Sequence, residues 1–179
     1  MASAITHFVV GASLALPALR SKSIKRVMSR WAIPVSAGLL AVAPDLDTYA
    51  ARLFEFPRGS LFAHRGIFHS AAFLTFASAV LAALIAGRQP RSWLGLSFLW
   101  ACCAITHPLL DMLTDGGSGV MLLYPLTAYR YFFSWRPIHV SPLGIIQFFG
   151  RAGYILKSEA PFCAAAFAIG ACGWVARRR

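Results

Sequence analysis

The sequence has 179 residues, of which 58% are apolar and only 13% charged, with a formal net charge of +11. Ordinary soluble domains are about 45–50% apolar and ~25% charged, so this chain is too apolar and too aromatic to be disordered and is poorly suited to a water-soluble globule. The length fits one domain, 1–179, and the composition fits a polytopic membrane protein.

Five apolar runs predict membrane segments in an all-α helix bundle: about 4–19, 31–50, 67–87, 93–114 and 160–176. At 1.5 Å per residue most can cross a hydrocarbon core of about 30 Å, and the first and last need a thinned bilayer or a shallow position. Two further stretches, 120–133 and 138–149, are rich in aromatic residues, the first with Arg130, and are broken by Pro125 and Pro142, with Pro137 between them. They are expected to be interfacial or re-entrant helices.

Basic residues set an orientation. Arg20, Lys22, Lys25, Arg26, Arg30, Arg88, Arg91, Arg177, Arg178 and Arg179 lie in three short stretches beside apolar runs. Placing all three in the cytoplasm satisfies the positive-inside rule for five alternating spans, with the N-terminus outside and the C-terminus inside. The same placement explains the net charge by topology and anionic lipid head groups, and no nucleic-acid partner is expected. Cys102, Cys103, Cys163 and Cys172 fall in apolar runs without a C-x-x-C pair, so neither a disulfide framework nor a thiolate zinc site is expected. No basic segment precedes the first apolar run, so a cleavable signal peptide is not expected either.

Ionisable residues at hydrocarbon depth are costly and mark functional sites by default. Here they are His7, Asp45 and Asp47, His64 and His69, and His107, Asp111 and Asp115. On the derived topology all fall toward the non-cytoplasmic side, although none of them entered the charge argument. His107 and Asp111 are four apart and share a helix face. His64 and His69, five apart, do not, so His64 belongs to the preceding loop, with Gly66 allowing the turn. Asp45 and Asp47 converge only if the helix ends or unwinds after Pro44. Gly11, one turn after His7, permits a neighbouring helix to approach closely.

Single residues have plain structural readings. His7 alone reads as a hydrogen-bonded structural residue, His139 as structural or as part of a site mouth, and Asp115 as part of a helix ending before Gly116 and Gly117. Asp45, Asp47, His64, His69, His107 and Asp111 together are different, since six such groups without a metal or mutual pairing would destabilise a chain in lipid. Imidazole and carboxylate suit a divalent ion, with zinc first and manganese or iron as alternatives. The donors exceed what one ion needs, so one or two ions fit, the second sharing a bridging Asp. Such ions activate water and clamp a phosphoryl group, with Arg65 as the cation for phosphate oxygens or, alternatively, as an interfacial anchor. A lipid-facing mouth near Tyr131, Phe132 and Trp135 would admit acyl chains.

His7 followed by Gly11, then PDLD, HRGIFHS, HPLLDMLTDGG, YPL and RPIHVSPL occur in an order that resembles a bacterial family, the LexA-regulated, inner-membrane-associated metal-dependent hydrolases. The resemblance covers about residues 1–150, and that family is in turn similar to zinc-dependent phospholipase C. It implies His7, Asp45, His64, His69, His107 and Asp111 as metal-site candidates and Asp47 as the second Asp of its motif; Asp47 and Arg65 are the residues expected to be catalytic. The expectation is therefore a bacterial inner-membrane metal-dependent hydrolase acting on a phosphoester at the non-cytoplasmic leaflet, with a phospholipid or an isoprenoid phosphate as substrate. The alternative is a membrane protein that binds or transports metal without hydrolysis.

Overall fold

A computed structural model describes residues 1–142 and 145–177; Arg178 and Arg179, assigned above to the cytoplasmic tail, lie outside the described residues. Ser3 starts the fold, its hydroxyl accepting from the Thr6 N–H to cap helix α1, Ala4–Leu14. A tight turn with Pro17 at its start follows over Leu16–Arg20. Helix α2, Ala32–Val42, runs into Pro44, whose missing N–H cannot continue the ladder. The chain tightens over Ala43–Leu46 and resumes as α3, Asp47–Leu53. Ser70 caps α4, Ala71–Ala86, by accepting from the Phe73 N–H. Helix α5, Pro90–Met112, runs through Pro108 without a break. A short α6, Ile145–Phe149, precedes α7, Ala152–Ala176.

Among the described residues there is no strand, only isolated bridges between Thr114 and Ile138 and between Val120 and Tyr131. The all-helical expectation holds among the described residues. Of the five expected segments, α5 and α7 are the helices among the described residues long and apolar enough to cross a bilayer by themselves, at 23 and 25 residues. Helix α4, with 16 residues, rises about 24 Å. The first run is divided before Pro17, the second at Pro44, and the third begins as helix only after the Ser70 cap. The expected interfacial helix over 120–133 is absent: the segment is irregular chain pinned by reciprocal Val120–Tyr131 backbone bonds, with Pro125 inside it. Of 138–149, only α6 is helical among its described residues.

Helix α1 packs between α2 and α7, α4 and α5 form a hairpin, and α2 leans on α5. At Gly11 the helices approach so closely that an added Cβ would lie 2.6 Å from Ala41 Cβ and 2.7 Å from the Ala37 carbonyl oxygen, as its spacing from His7 predicted. The core at one end joins Ile33, Leu96 and Trp100, whose indole donates to Ser36 Oγ at 3.1 Å. Outward faces are apolar, with Phe76, Leu84, Leu94, Phe98, Phe167 and Ile169 exposed.

The basic stretches meet at one end of the bundle. Ser92 Oγ donates to the Ser23 carbonyl at 2.8 Å, Arg177 reaches the Pro17 carbonyl, and the Arg20 guanidinium lies 4.5 Å from the Trp174 ring. The His and Asp residues meet at the other end. That separation was expected from sequence, and the packing of α1, α2, α4 and α5 produces it.

Candidate metal centre

Five elements converge on the site. Helix α1 supplies His7, the Pro44 turn and the start of α3 supply Asp45 and Asp47, the turn Ile67–His69 supplies His69, and the end of α5 supplies His107 and Asp111. His7, His69, His107 and Asp111 are fully buried.

Donor atoms of Asp45, His69, His107 and Asp111 all lie within 4.8 Å of one another. His107 Nε2 is 3.3 Å from Asp45 Oδ1, 3.1 Å from His69 Nε2 and 4.0 Å from Asp111 Oδ2; His69 Nε2 is 4.0 Å from Asp45 Oδ1 and 3.9 Å from Asp111 Oδ2. Four donors about 2.0–2.1 Å from one zinc ion at tetrahedral angles stand about 3.3 Å apart. The observed set brackets that spacing.

Proton positions sharpen the fit. His107 Nδ1 is 2.7 Å from the Ala41 carbonyl oxygen, which only accepts, so Nδ1 carries the proton. His69 Nδ1 is 3.1 Å from Asp47 Oδ2, imperfectly aligned but close enough for the carboxylate to favour a proton there too. Both Nε2 atoms then present lone pairs, 3.1 Å apart in a buried site. Two acceptors facing each other repel unless a cation or proton lies between them. Both Asp45 oxygens are also buried without a hydrogen-bond donor, a costly state that an ion would relieve. Partnering of a ligand's second nitrogen by carbonyl or carboxylate is the usual outer arrangement of a metal-binding His.

The Pro44 turn separates the two acids rather than uniting them. Asp45 turns to His107, whereas Asp47 holds His64 Nδ1 at 2.8 Å and His69 Nδ1 at 3.1 Å. Asp47, His64 and His69 form a second group able to hold an ion. Thr48 Oγ1 also lies 3.0 Å from His64 Nδ1, and His64 is 26% exposed. His69 is the residue common to both groups, in the linking place expected of an Asp. His7 lies outside both: it stacks on His107 with ring centroids 3.8 Å apart and stands 3.6 Å from Asp111 Oδ1, and neither ring nitrogen has a hydrogen-bond partner.

Arg65 occupies a different position from the one expected. It is neither an interfacial anchor nor open to a substrate phosphate, being 1% exposed in a left-handed backbone conformation (φ 65°). Its Nε donates to Asp111 Oδ2 at 2.9 Å, and its terminal nitrogens donate to the Gly116 carbonyl at 2.9 Å and Thr114 Oγ1 at 2.8 Å. It orients Asp111. Gly66 permits the turn beside it by closeness of approach: a Cβ there would collide with the Leu61 carbonyl. Phe132 lies under the Arg65 guanidinium, and Trp135 packs toward Phe162. The apolar groove at the site is instead about 530 Å³, bounded by Ile5, Val42, Leu46, Tyr49, Phe148 and Phe149, with Asp45 in its wall.

His139 and Asp115 pair with each other. His139 Nδ1 is 2.8 Å from Asp115 Oδ2, the Val140 N–H donates to Asp115 Oδ1, and the imidazole stacks on Tyr154. Burial alone would raise the Asp115 pKa, but the bonds from His139 and the Val140 N–H outweigh it and hold the carboxyl below its ordinary value.

Sequence reasoning missed Arg130 and Glu159. Arg130 gathers the Ser60, His64, Arg65 and Gly119 carbonyls, fixing the loop that carries His64 and Arg65. Glu159, fully buried on α7, accepts from Ser3 N–H at 2.6 Å, Ser3 Oγ at 2.5 Å and Thr6 Oγ1 at 2.7 Å. An acid beside an apolar run is a signal of such a role, but the last run was expected to begin at 160, leaving Glu159 outside it.

Comparison with known proteins places the chain in a family. The model of the family described as YdjM inner membrane protein matches residues 1–179. The chain belongs to the YdjM inner membrane protein family. A relative of this YdjM-family chain, inner membrane protein YbcI of Escherichia coli (strain K12), is 33% identical over 123 residues, 68% of this chain and 70% of the relative. No solved structure matches the chain. The YdjM family and the relative support an inner-membrane location, in agreement with the composition.

Proposed function

We propose that the protein is a multi-pass inner-membrane hydrolase dependent on a divalent ion, zinc first, and that its substrate is a lipid phosphoester reached from the non-cytoplasmic leaflet. The observation that carries this reading is the pair of imidazoles whose Nδ1 partners leave two Nε2 atoms facing each other at 3.1 Å beside Asp45 and Asp111. Asp45, His69, His107 and Asp111 would hold the ion. When bound, it would supply a water of lowered pKa and a Lewis acid for the phosphoryl oxygens.

The chain's own residues have separable tasks in this reading. Ala41 O and Asp47 fix the tautomers of His107 and His69, and Arg65 fixes Asp111. Of the three carboxylates Asp45, Asp47 and Asp111, only Asp111 is paired with Arg65, so a divalent ion would offset negative charge that the Arg65 guanidinium does not. Asp45 faces the apolar groove, which suits a substrate with a long chain. His64, paired with Asp47 and partly open to solvent, is placed to move a proton at the edge of the site. The resemblance of the motifs to LexA-regulated metal-dependent hydrolases, and through them to phospholipase C, supports the same chemistry. In this reading five segments cross with the basic end in the cytoplasm, which the gathering of the basic stretches opposite the site favours; the shorter helices would cross with the help of their flanking turns.

Elemental analysis of purified protein tests the ion, with one or two per chain expected and less in His107→Ala. A screen of phospholipids and isoprenoid phosphates, with and without chelator, tests the reaction. Turnover that survives both chelation and His107→Ala would assign the activity elsewhere. A metal-replete protein inactive on every phosphoester would favour binding or transport of the metal itself.

A further inference from the structure

The last apolar helix contributes no donor to the cluster, yet it carries a fully buried carboxylate whose three donors all come from the segment before and within the first turn of α1. Glu159 takes the Ser3 N–H, the Ser3 hydroxyl and the Thr6 hydroxyl, at separations of 153 to 156 residues in sequence. Ala2, next to Ser3, donates its N–H to Asp111 Oδ1 at 2.8 Å. Asp111 is thereby held from both sides, Oδ1 by Ala2 and Oδ2 by Arg65 Nε at 2.9 Å. The free direction of Oδ2 is the one that faces His69 and His107. One turn further along the same helix stands His7, stacked on His107.

We propose that Glu159 is a positioning residue for the metal centre: by fixing the Ser3 peptide and the first turn of α1, it sets the Ala2 N–H that orients Asp111 and the helix that places His7 against His107. This rests on reading the His–Asp cluster as a metal site. A carboxylate accepting three short hydrogen bonds is a rigid anchor, because charge-assisted bonds are about twice as strong as neutral ones. The two N–H groups belong to adjacent peptide units joined at the Ala2 Cα, so a rotation at Ser3 is passed to Asp111 across a single residue. Glu159 itself is engaged by neutral donors only and makes no contact with the donor set, which separates its role from that of a ligand.

The test is the affinity of purified protein for Zn²⁺, measured by competition with a chromophoric chelator, together with the visible spectrum of the Co²⁺-loaded form. Glu159→Gln keeps the shape but turns one acceptor into a donor against Ser3 and Thr6. Loss of an outer partner of a metal site lowers affinity about 10–100-fold, and that loss is expected here with an altered Co²⁺ spectrum. Ser3→Ala keeps the Ser3 N–H bond and deletes the hydroxyl bond to Glu159 together with the Thr6 N–H cap, so a smaller loss, about fivefold, is expected. If Glu159→Gln cannot be recovered folded, Ser3→Ala decides alone. Variants with lowered thermal stability but wild-type Zn²⁺ affinity and Co²⁺ spectrum would overturn the proposal and leave Glu159 a purely structural anchor. Wild-type protein that binds neither ion would instead overturn the metal reading beneath it.

Discussion

Removing the ion should destabilise the protein by an amount that follows from linkage. A ligand bound only by the folded state adds RT ln(1 + [L]/Kd), about 2.7 kcal/mol at a free concentration 100 times Kd. For a chain of 179 residues, each kcal/mol shifts the unfolding midpoint by about 2–4 °C, so chelation should lower it by about 5–11 °C. The structure gives the reason: without the ion, two Nε2 lone pairs oppose each other and both Asp45 oxygens stay buried without a donor. His107→Ala deletes one of the four donors. A site weakened a hundredfold at the same ion concentration retains only about 0.4 kcal/mol of linkage, a shift of ~1–2 °C. The assay is thermal unfolding in detergent or nanodiscs, with Zn²⁺ and with chelator, comparing the ion-dependent difference within each variant so that the cavity left by His107 cancels. Identical midpoints for wild-type protein in both conditions, or a full shift retained by His107→Ala, would refute the reasoning.

Arg65→Lys should keep the positive charge but lose the fork that reaches Asp111, Thr114 and Gly116 together, lowering stability by about 1.5–3 kcal/mol in denaturant unfolding; unchanged stability would mean that the fork does not hold Asp111. Gly11→Val should cost about 1–3 kcal/mol through overpacking against Ala41 and Ala37, read as a lowered midpoint. Since the Asp115 pKa is depressed in the folded state, its bonds contribute above an unfolded pKa of about 3.9 and are lost as pH falls through the lower folded value; the protection of the Val140 amide, relative to its intrinsic exchange rate at each pH, should fall in that acid range, by no more than the ~1 kcal/mol typical of exposed pairs. In a chain without its native cysteines, Ser118→Cys should be labelled by an impermeant reagent from the non-cytoplasmic side and Ser29→Cys should be protected; the reverse pattern would invert the orientation.

Much of the site was legible because charged and polar groups in an apolar chain are few, and each must be accounted for. The spacing of His107 and Asp111 assigned both to one face of α5, and Pro44 marked the place where a helix had to unwind. What the spacing could not give was direction. The turn Ala43–Leu46 sends Asp45 and Asp47 to different partners, which depends on where α5 and the Ile67–His69 turn lie in space. Arg65 reads alike in sequence whether it faces solvent, lipid or substrate; only the packing of the 114–117 backbone around it decides. Helix lengths were overestimated because apolarity continues through Pro17 and Pro44 although the hydrogen-bond ladder does not. Glu159 was missed because its donors stand more than 150 residues away.

The way the cluster is enclosed bears on exchange rates. His7, His69, His107 and Asp111 have no exposed surface, whereas Asp45, at 6%, borders the open groove. An ion held there would enter or leave past Asp45, past Asp47 and the partly open His64, or by transient separation of the helices. Loss of metal to a strong chelator should then proceed at a rate set by that opening, saturating as chelator concentration rises instead of increasing in proportion to it. Widening the passage at Val42 or Leu46 with alanine should speed release while leaving the donor set intact. The centre would thus be kinetically trapped, retaining its ion long after the surrounding free concentration has fallen.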